Sequence, residues 1–361
     1  MERKLAAYRG CLLGLAVGDA MGYTVDTKSW PEICETYGPN GLMGYDLANG
    51  TAEVTSYTQI AAFLSNGLLL AAIRGNPEYT TKYMALSLRE WVKSQQFRAT
   101  AEKTRCWVAQ VPSLRRRACM DTRMLDALGR ETLGAPHAPM LRSVTPAALT
   151  GAVAVGMFYD SERMTLPQLM ELGASAVAFT HGDPETFLSG AFLACAVGLL
   201  LQDVSRPLRT IFEEASLQLH QQYGDTFPEA DLLCSKISYA LSLTTDPEIT
   251  PLVAMTLLCC TTAAECVAGA VYAALVHAGN FDEAMITSVN HSGRSAAVGA
   301  LTGALLGARL GADALPEFYL ECLEPVPWLE DLAQDMAEGR QVIKIFDDSW
   351  DQKYIQGQPT Q

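Results

Sequence analysis

The sequence predicts an all-α fold, on three observations. Alanine, leucine and glycine dominate the apolar runs, whereas alternating Val/Ile/Thr segments of the kind that form strands are scarce. Apolar stretches of helical length recur along the chain, broken by Pro, Gly and Thr-rich joints. Two of these stretches carry glycine at every fourth residue: Gly10, Gly14, Gly18 and Gly22 near the start, and Gly299, Gly303, Gly307 and Gly311 far downstream. That spacing keeps the glycines near one helix face. A glycine inside a helix costs about 1 kcal/mol relative to alanine, so a repeated stripe points to close backbone approach between helices. The two stripes are expected to pack face to face at the centre of the fold.

The elements follow in order. A first helix is predicted over Lys4 to Gly22; the apolar run after Met1-Glu2-Arg3-Lys4 imitates a signal peptide but is interrupted by Asp19. Pro39-Asn40-Gly41 to Asn49-Gly50 reads as a loop, followed by an apolar helix over Ile60 to Ile73 with Thr55 or Ser56 as its N-cap. Two or three helical stretches lie between Tyr79 and Leu128, with Trp91 and Trp107 in the core. Further helices are expected over Ala147 to Tyr159, Leu166 to Phe179, Phe187 to Leu201, Arg206 to His220, Ala230 to Leu243 and Leu252 to Val276. Glu265 lies in the last of these and needs a polar partner. Residues 1–340 read as one domain, because no linker or low-complexity block divides them, and 341–361 as a polar, peripheral tail.

With 49% hydrophobic and 18% charged residues, the 361-residue chain can bury a sizeable core. A net charge of −14 argues against nucleic acid and anionic membrane as partners. The basic triplet Arg115-Arg116-Arg117 reads as a solvated loop. Ten scattered cysteines show neither a CxxC pair nor zinc spacing and read as reduced thiols, and no run is expected to cross a membrane. A cytoplasmic location is the expectation.

Four separated motifs in order carry a resemblance: Gly18-Asp19-Ala20-Met21-Gly22, the Thr58-Gln59 helix opening, Thr180-His181-Gly182-Asp183-Pro184, and Asn290-His291-Ser292-Gly293 before the Gly/Ala helix. The chain resembles the ADP-ribosylglycohydrolases over about residues 8–340. The resemblance implies a compact, orthogonal α-helical bundle that hydrolyses ADP-ribose linkages with two magnesium or manganese ions held between two helix starts.

Matched position by position, the metal-binding chemistry departs from the family. Where the family presents Ser/Thr-Asp-Asp-Thr, this chain has Thr55-Ser56-Tyr57-Thr58. Where it presents Asp-Ser/Thr-Asp-Ser/Thr, this chain has Arg294-Ser295-Ala296-Ala297. Hard divalent ions rely on carboxylate oxygens, and a unit-charge pair at about 4 Å interacts by roughly 4 kcal/mol at an effective dielectric near 20, so Arg294 opposes a dication. Thr55 alone survives as a plausible ligand, and no metal or other cofactor is expected. Asp26 aligns with the family's acidic residue, usually glutamate, and is a vestigial catalytic candidate. The family's glycine-rich loop with its Met-Arg pair falls near Pro146 to Gly151, where alanines and leucine stand and the arginine is missing.

Asp19, His181, Asn290, His291, Ser292 and Gly293 are the candidate pocket residues. For His181, a role in satisfying backbone groups at a helix junction competes with a pocket-facing role. Asn290 and His291 are expected to brace their loop, and Asp19 to hold a loop backbone or Arg294. Arg294 itself is a candidate plug that pairs with Asp19 or Asp26. The expectation is a non-catalytic family member that binds an ADP-ribose-like ligand or a protein partner. The alternative is an active hydrolase of N- or O-glycosidic ADP-ribose linkages with an altered or metal-independent site.

Overall fold

The computed structural model describes residues 2–47, 49–75, 77–96, 104, 106–339 and 348–358. Among them are seventeen α-helices and no strand, only isolated bridges. In chain order they are α1 (Glu2–Val25), α2 (Trp30–Tyr37), α3 (Ser56–Arg74), α4 (Thr80–Gln95), α5 (Arg123–Leu128), α6 (Thr150–Met157), α7 (Leu166–Ala178), α8 (Pro184–Gln202) and α9 (Leu208–Tyr223). Then come α10 (Pro228–Leu243), α11 (Pro251–Leu257), α12 (Ala263–Val276), α13 (Phe281–Val289), α14 (Ser295–Leu310), α15 (Glu317–Glu321), α16 (Val326–Gly339) and α17 (Asp348–Trp350).

The glycine stripes meet as their spacing predicts. Gly10 faces Gly307, Gly14 faces Gly303, Gly18 faces Gly299, and Gly22 faces Ser295, so α1 and α14 run antiparallel in a fixed register. A Cβ added at Gly18 would penetrate the Gly299 carbonyl, and one at Gly303 the Gly14 carbonyl. These are rigid backbone atoms, so only glycine lets the two axes approach this closely. Both helices are buried along almost their whole length. Helices α3, α6, α8 and α12 pack around this pair, which makes it the axis of the core.

Trp91 and Trp107 are fully buried, as expected. Three expectations change. The stretch Leu252 to Val276 is two helices, because Cys259 and Cys260 adopt left-handed backbone conformations (φ 61° and 55°) and Thr262 then starts α12. Glu265 is therefore the third residue of α12, where it forms a capping box with Thr262 and binds Lys236 Nζ at 3.2 Å. Second, α3 and α8 are each long and apolar enough to cross a membrane, yet 83% and 89% of those windows are packed inside the protein. Their apolarity is explained by a core position on all sides.

Third, the C-terminal tail is not wholly peripheral, although residues 340–347 and 359–361 lie outside the described residues. Lys353 and Tyr354 are buried: the Lys353 ammonium lies 4.8 Å from the Trp107 ring centre and pairs with Asp331 and Asp335, and the Tyr354 hydroxyl donates to Asp335. A tail that reads as polar is held by a buried charge cluster on α16, whose members lie apart in sequence.

Candidate functional site

The site is built where α1 ends and the heads of α3 and α14 come together. A helix start leaves its first amides without intrahelical partners, and α1 and the turn just after it supply a carboxylate to each head. Asp19, fully buried, accepts from the Thr55 amide (2.8 Å), the Thr55 hydroxyl (2.6 Å), the Thr58 amide (3.0 Å) and the Thr58 hydroxyl (2.6 Å). Thr55 is the N-cap of α3, and its Oγ1 accepts from the Tyr57 amide at 3.2 Å. Seven residues after Asp19, Asp26 Oδ1 accepts from the Ala296 amide in the first turn of α14 at 3.1 Å. Burial pushes the Asp19 carboxyl above the usual range against its four hydrogen bonds. Burial also pushes Asp26 up to about 6, opposed by the Ala296 amide and by the nearby charge of Arg294.

Tyr57 lies in the first turn of α3. It is 3% exposed, and burial, then the charges of Asp26 and Cys266, hold its hydroxyl far above the usual tyrosine range, with Arg294 acting in the opposite direction. Its carbonyl accepts from Thr150 Oγ1 at 2.6 Å, which ties α3 to α6. Arg294 is the N-cap residue of α14, with its amide on the Cys260 carbonyl at 2.8 Å. Its charge acts on Asp26 through space; among the described residues no ion pair within 4.0 Å joins it to Asp19 or Asp26. The expected pairing is thus proximity without a direct bridge, because Asp26 is turned to a helix amide and Asp19 to the other helix.

The loop before α14 is braced as expected. Asn290 exchanges hydrogen bonds with Leu42 at 2.8 Å each way, and its Nδ2 also reaches the Ile286 carbonyl. Ser292 Oγ accepts from the Trp30 amide at 2.7 Å, and the Gly293 carbonyl from the Thr27 amide at 3.1 Å. At Gly293 a Cβ would collide with the carbonyls of Cys260 and Cys259. His291 Nε2 donates to the Ser288 carbonyl at 3.0 Å, which leaves Nδ1 buried and unpartnered, and burial lowers its pKa to about 4. Asn290, Ser292 and Gly293 therefore serve the loop itself.

His181 lies on a separate polar cluster along the α7–α8 junction. Its Nδ1 meets Thr180 Oγ1 at 2.9 Å, while Nε2 meets Thr145 Oγ1 at 2.8 Å and Asp121 at 3.4 Å. Arg123 binds Asp121 at 2.6 Å and Ser143 at 3.1 Å. Burial disfavours ionisation of Asp121, yet the hydrogen bonds from His181 and Arg123 outweigh it and hold the carboxyl below the usual range. His181 satisfies side chains rather than backbone groups, and both of its ring nitrogens are engaged. The sequence offers no spacing that joins Asp121 and Thr145 to His181.

In the basic triplet Arg115 and Arg117 are exposed, as expected of a solvated loop, and two of its members are also anchored. Arg116 pairs with Glu53 at 2.5 Å, Arg117 Nε reaches the Gln95 carbonyl at 3.0 Å, and the following residues lie across the head of α3. The Ser56 amide donates to the Ala118 carbonyl at 2.9 Å, and Ser56 Oγ accepts from the Met120 amide at 3.0 Å.

These contacts decide how well the residues suit two divalent ions. Both Asp19 oxygens face hydrogen-bond donors, Ser56 Oγ holds Met120, Thr55 Oγ1 holds the Tyr57 amide, and Ala296 and Ala297 carry no donor atom. No group of three or more His, Cys, Asp or Glu side chains gathers in metal-binding geometry among the described residues. This donor set does not fit a binuclear magnesium or manganese centre.

Fold and site together define an all-α protein organised around a glycine-packed helix pair, with one carboxylate of the first helix and one just past its end capping two other helices. The sequence model of the ADP-ribosylglycohydrolase family matches residues 1–344, and the chain belongs to that family. Among solved structures it is similar to one titled "ADP-ribosylglycohydrolase-related protein complex", with 23% sequence identity and a TM-score of 0.59, covering 94% of this chain and 100% of that one. That likeness shows the fold. No curated protein matches significantly.

Proposed function

We propose that this protein is a non-catalytic member of the ADP-ribosylglycohydrolase family whose binuclear metal site has been replaced by internal contacts, and that it binds a ligand or partner without hydrolysing it. One observation carries the reading: the two helix heads are capped from within by Asp19 and Asp26, with Tyr57 in the first turn of one head and Arg294 at the N-cap of the other. Each aspartate does for a helix start what a solvent molecule or ion would otherwise do. The cation of Arg294 disfavours a second cation beside it. An ADP-ribose-like molecule or a protein surface is the expected partner.

The test is calorimetry of the native protein with manganese and, separately, with ADP-ribose, alongside a variant carrying Ser56→Asp, Tyr57→Asp, Arg294→Asp and Ala296→Asp. The native protein should give no saturable manganese heat, and the quadruple variant should gain it. Micromolar manganese binding by the native protein would overturn the proposal.

A second reading is supported by Asp26, whose proton affinity near pH 6 suits acid–base work at neutral pH. In that case the protein hydrolyses an ADP-ribose linkage without the usual metals. Turnover of an ADP-ribosylated substrate that disappears in Asp26→Asn would establish it; absence of turnover leaves the binding reading standing.

A further inference from the structure

A crevice of about 700 Å³ opens at the opposite end of α3 from the candidate site. Gly75 lies seventeen positions after Thr58, so at 1.5 Å per residue the two places lie roughly 25 Å apart along the helix. The crevice falls in the size range of small-molecule sites. Its apolar walls come from Ala71 and Ala72 at the end of α3, Phe158 at the end of α6, Met164, and Leu172 of α7.

The charges at its rim are not balanced. Glu78 and Glu171 both line the crevice, are exposed, and take part in no ion pair within 4.0 Å among the described residues. The one cation among the described lining residues, Arg163, lies with its Nε 3.7 Å from an Asp160 carboxylate oxygen. An apolar wall with two uncompensated carboxylates attracts a ligand that joins an apolar body to a positive charge, and the net charge of −14 adds to that attraction.

We propose that this crevice is a binding site for a small organic ammonium: an aryl or alkyl body against Phe158, Met164 and Leu172, with the ammonium between Glu78 and Glu171. The site is independent of the α3 and α14 heads. Neither its occupancy nor its failure bears on the function proposed for them.

The experiment titrates three probes of nearly equal shape into the full chain at low ionic strength: 2-phenylethylammonium, neutral 2-phenylethanol and anionic 3-phenylpropionate. Binding is followed by calorimetry and by the methyl resonance of Met164. The ammonium should saturate with a Kd of about 1 mM, as befits so small a ligand. It should shift Met164 and bind about tenfold more tightly than the alcohol, with the anion weakest. Glu78→Gln combined with Glu171→Gln should remove that preference while the alcohol's affinity and the melting temperature stay as they were; both side chains are exposed and the exchange is nearly isosteric. Equal binding of all three probes, no saturation by the ammonium, or an ammonium preference that survives the double substitution would overturn the proposal.

Discussion

Asp26→Asn should stabilise the protein at neutral pH, which is an unusual expectation for a residue that caps a helix. The Asp26 carboxyl has a pKa of about 6 in the fold, against an ordinary 3.8. The folded state therefore binds this proton more tightly than the unfolded chain does. Below the unfolded value both states are protonated and Asp26 has no ionisation cost. As pH rises through the window between the two values, the cost grows, and above about 6 it is fully present. At 1.36 kcal/mol per tenfold change the ceiling is about 3 kcal/mol, which partial exposure reduces to about 1–2 kcal/mol.

Asparagine removes the charge while its carbonyl oxygen can still accept from the Ala296 amide, so the cap of α14 is retained. Urea denaturation of wild type and variant at pH 5 and pH 7.5 tests this. The variant should gain more at pH 7.5 than at pH 5. A variant less stable than wild type at pH 7.5, or a difference that does not change with pH, would refute the reasoning. The same variant assayed for turnover separates a capping role from an acid–base role.

Asp19→Ala should behave in the opposite way, because it leaves two buried amides and two hydroxyls at the head of α3 without their acceptor; a loss of at least about 3 kcal/mol is expected in chemical denaturation. Gly18→Ala and Gly303→Ala should each cost about 2–3 kcal/mol or more despite a gain in helix propensity, since each Cβ meets the backbone of the partner helix; Gly44→Ala, in open space, serves as the control. His291, with its pKa lowered to about 4 by burial, contributes stability that is present above the ordinary value of 6.5 and lost as pH falls towards 4. Its imidazole resonances should show no titration between pH 7 and pH 5, and titration near 6.5 would refute the burial argument.

Much of the architecture is legible locally. The fourfold glycine spacing specifies which faces of α1 and α14 meet, because only a repeat near the helical period keeps bare backbone on one side. Thr55 as N-cap is equally local, since the cap bond spans two residues. The departure of Thr55 to Thr58 and Arg294 to Ala297 from the family's carboxylates is also a matter of residue identity. What those residues do instead is not written locally.

Asp19 lies on α1 and Asp26, seven residues on, in the turn just past its end; one turns to α3 and the other to α14, and that choice depends on where two distant helix starts arrive. Asp121 reaches His181 from sixty residues away, and Lys353 reaches Asp335 from 18 residues away. The break at Cys259–Cys260 interrupts a run whose composition reads as continuous helix, because the Cys260 carbonyl is needed at the head of α14. Residue type and periodicity thus determined the all-α class, most of the longer helices, the family and the axis of packing. The tertiary structure alone decided which buried donor each carboxylate satisfies, since a polar group removed from water must take whichever partner the fold delivers to it.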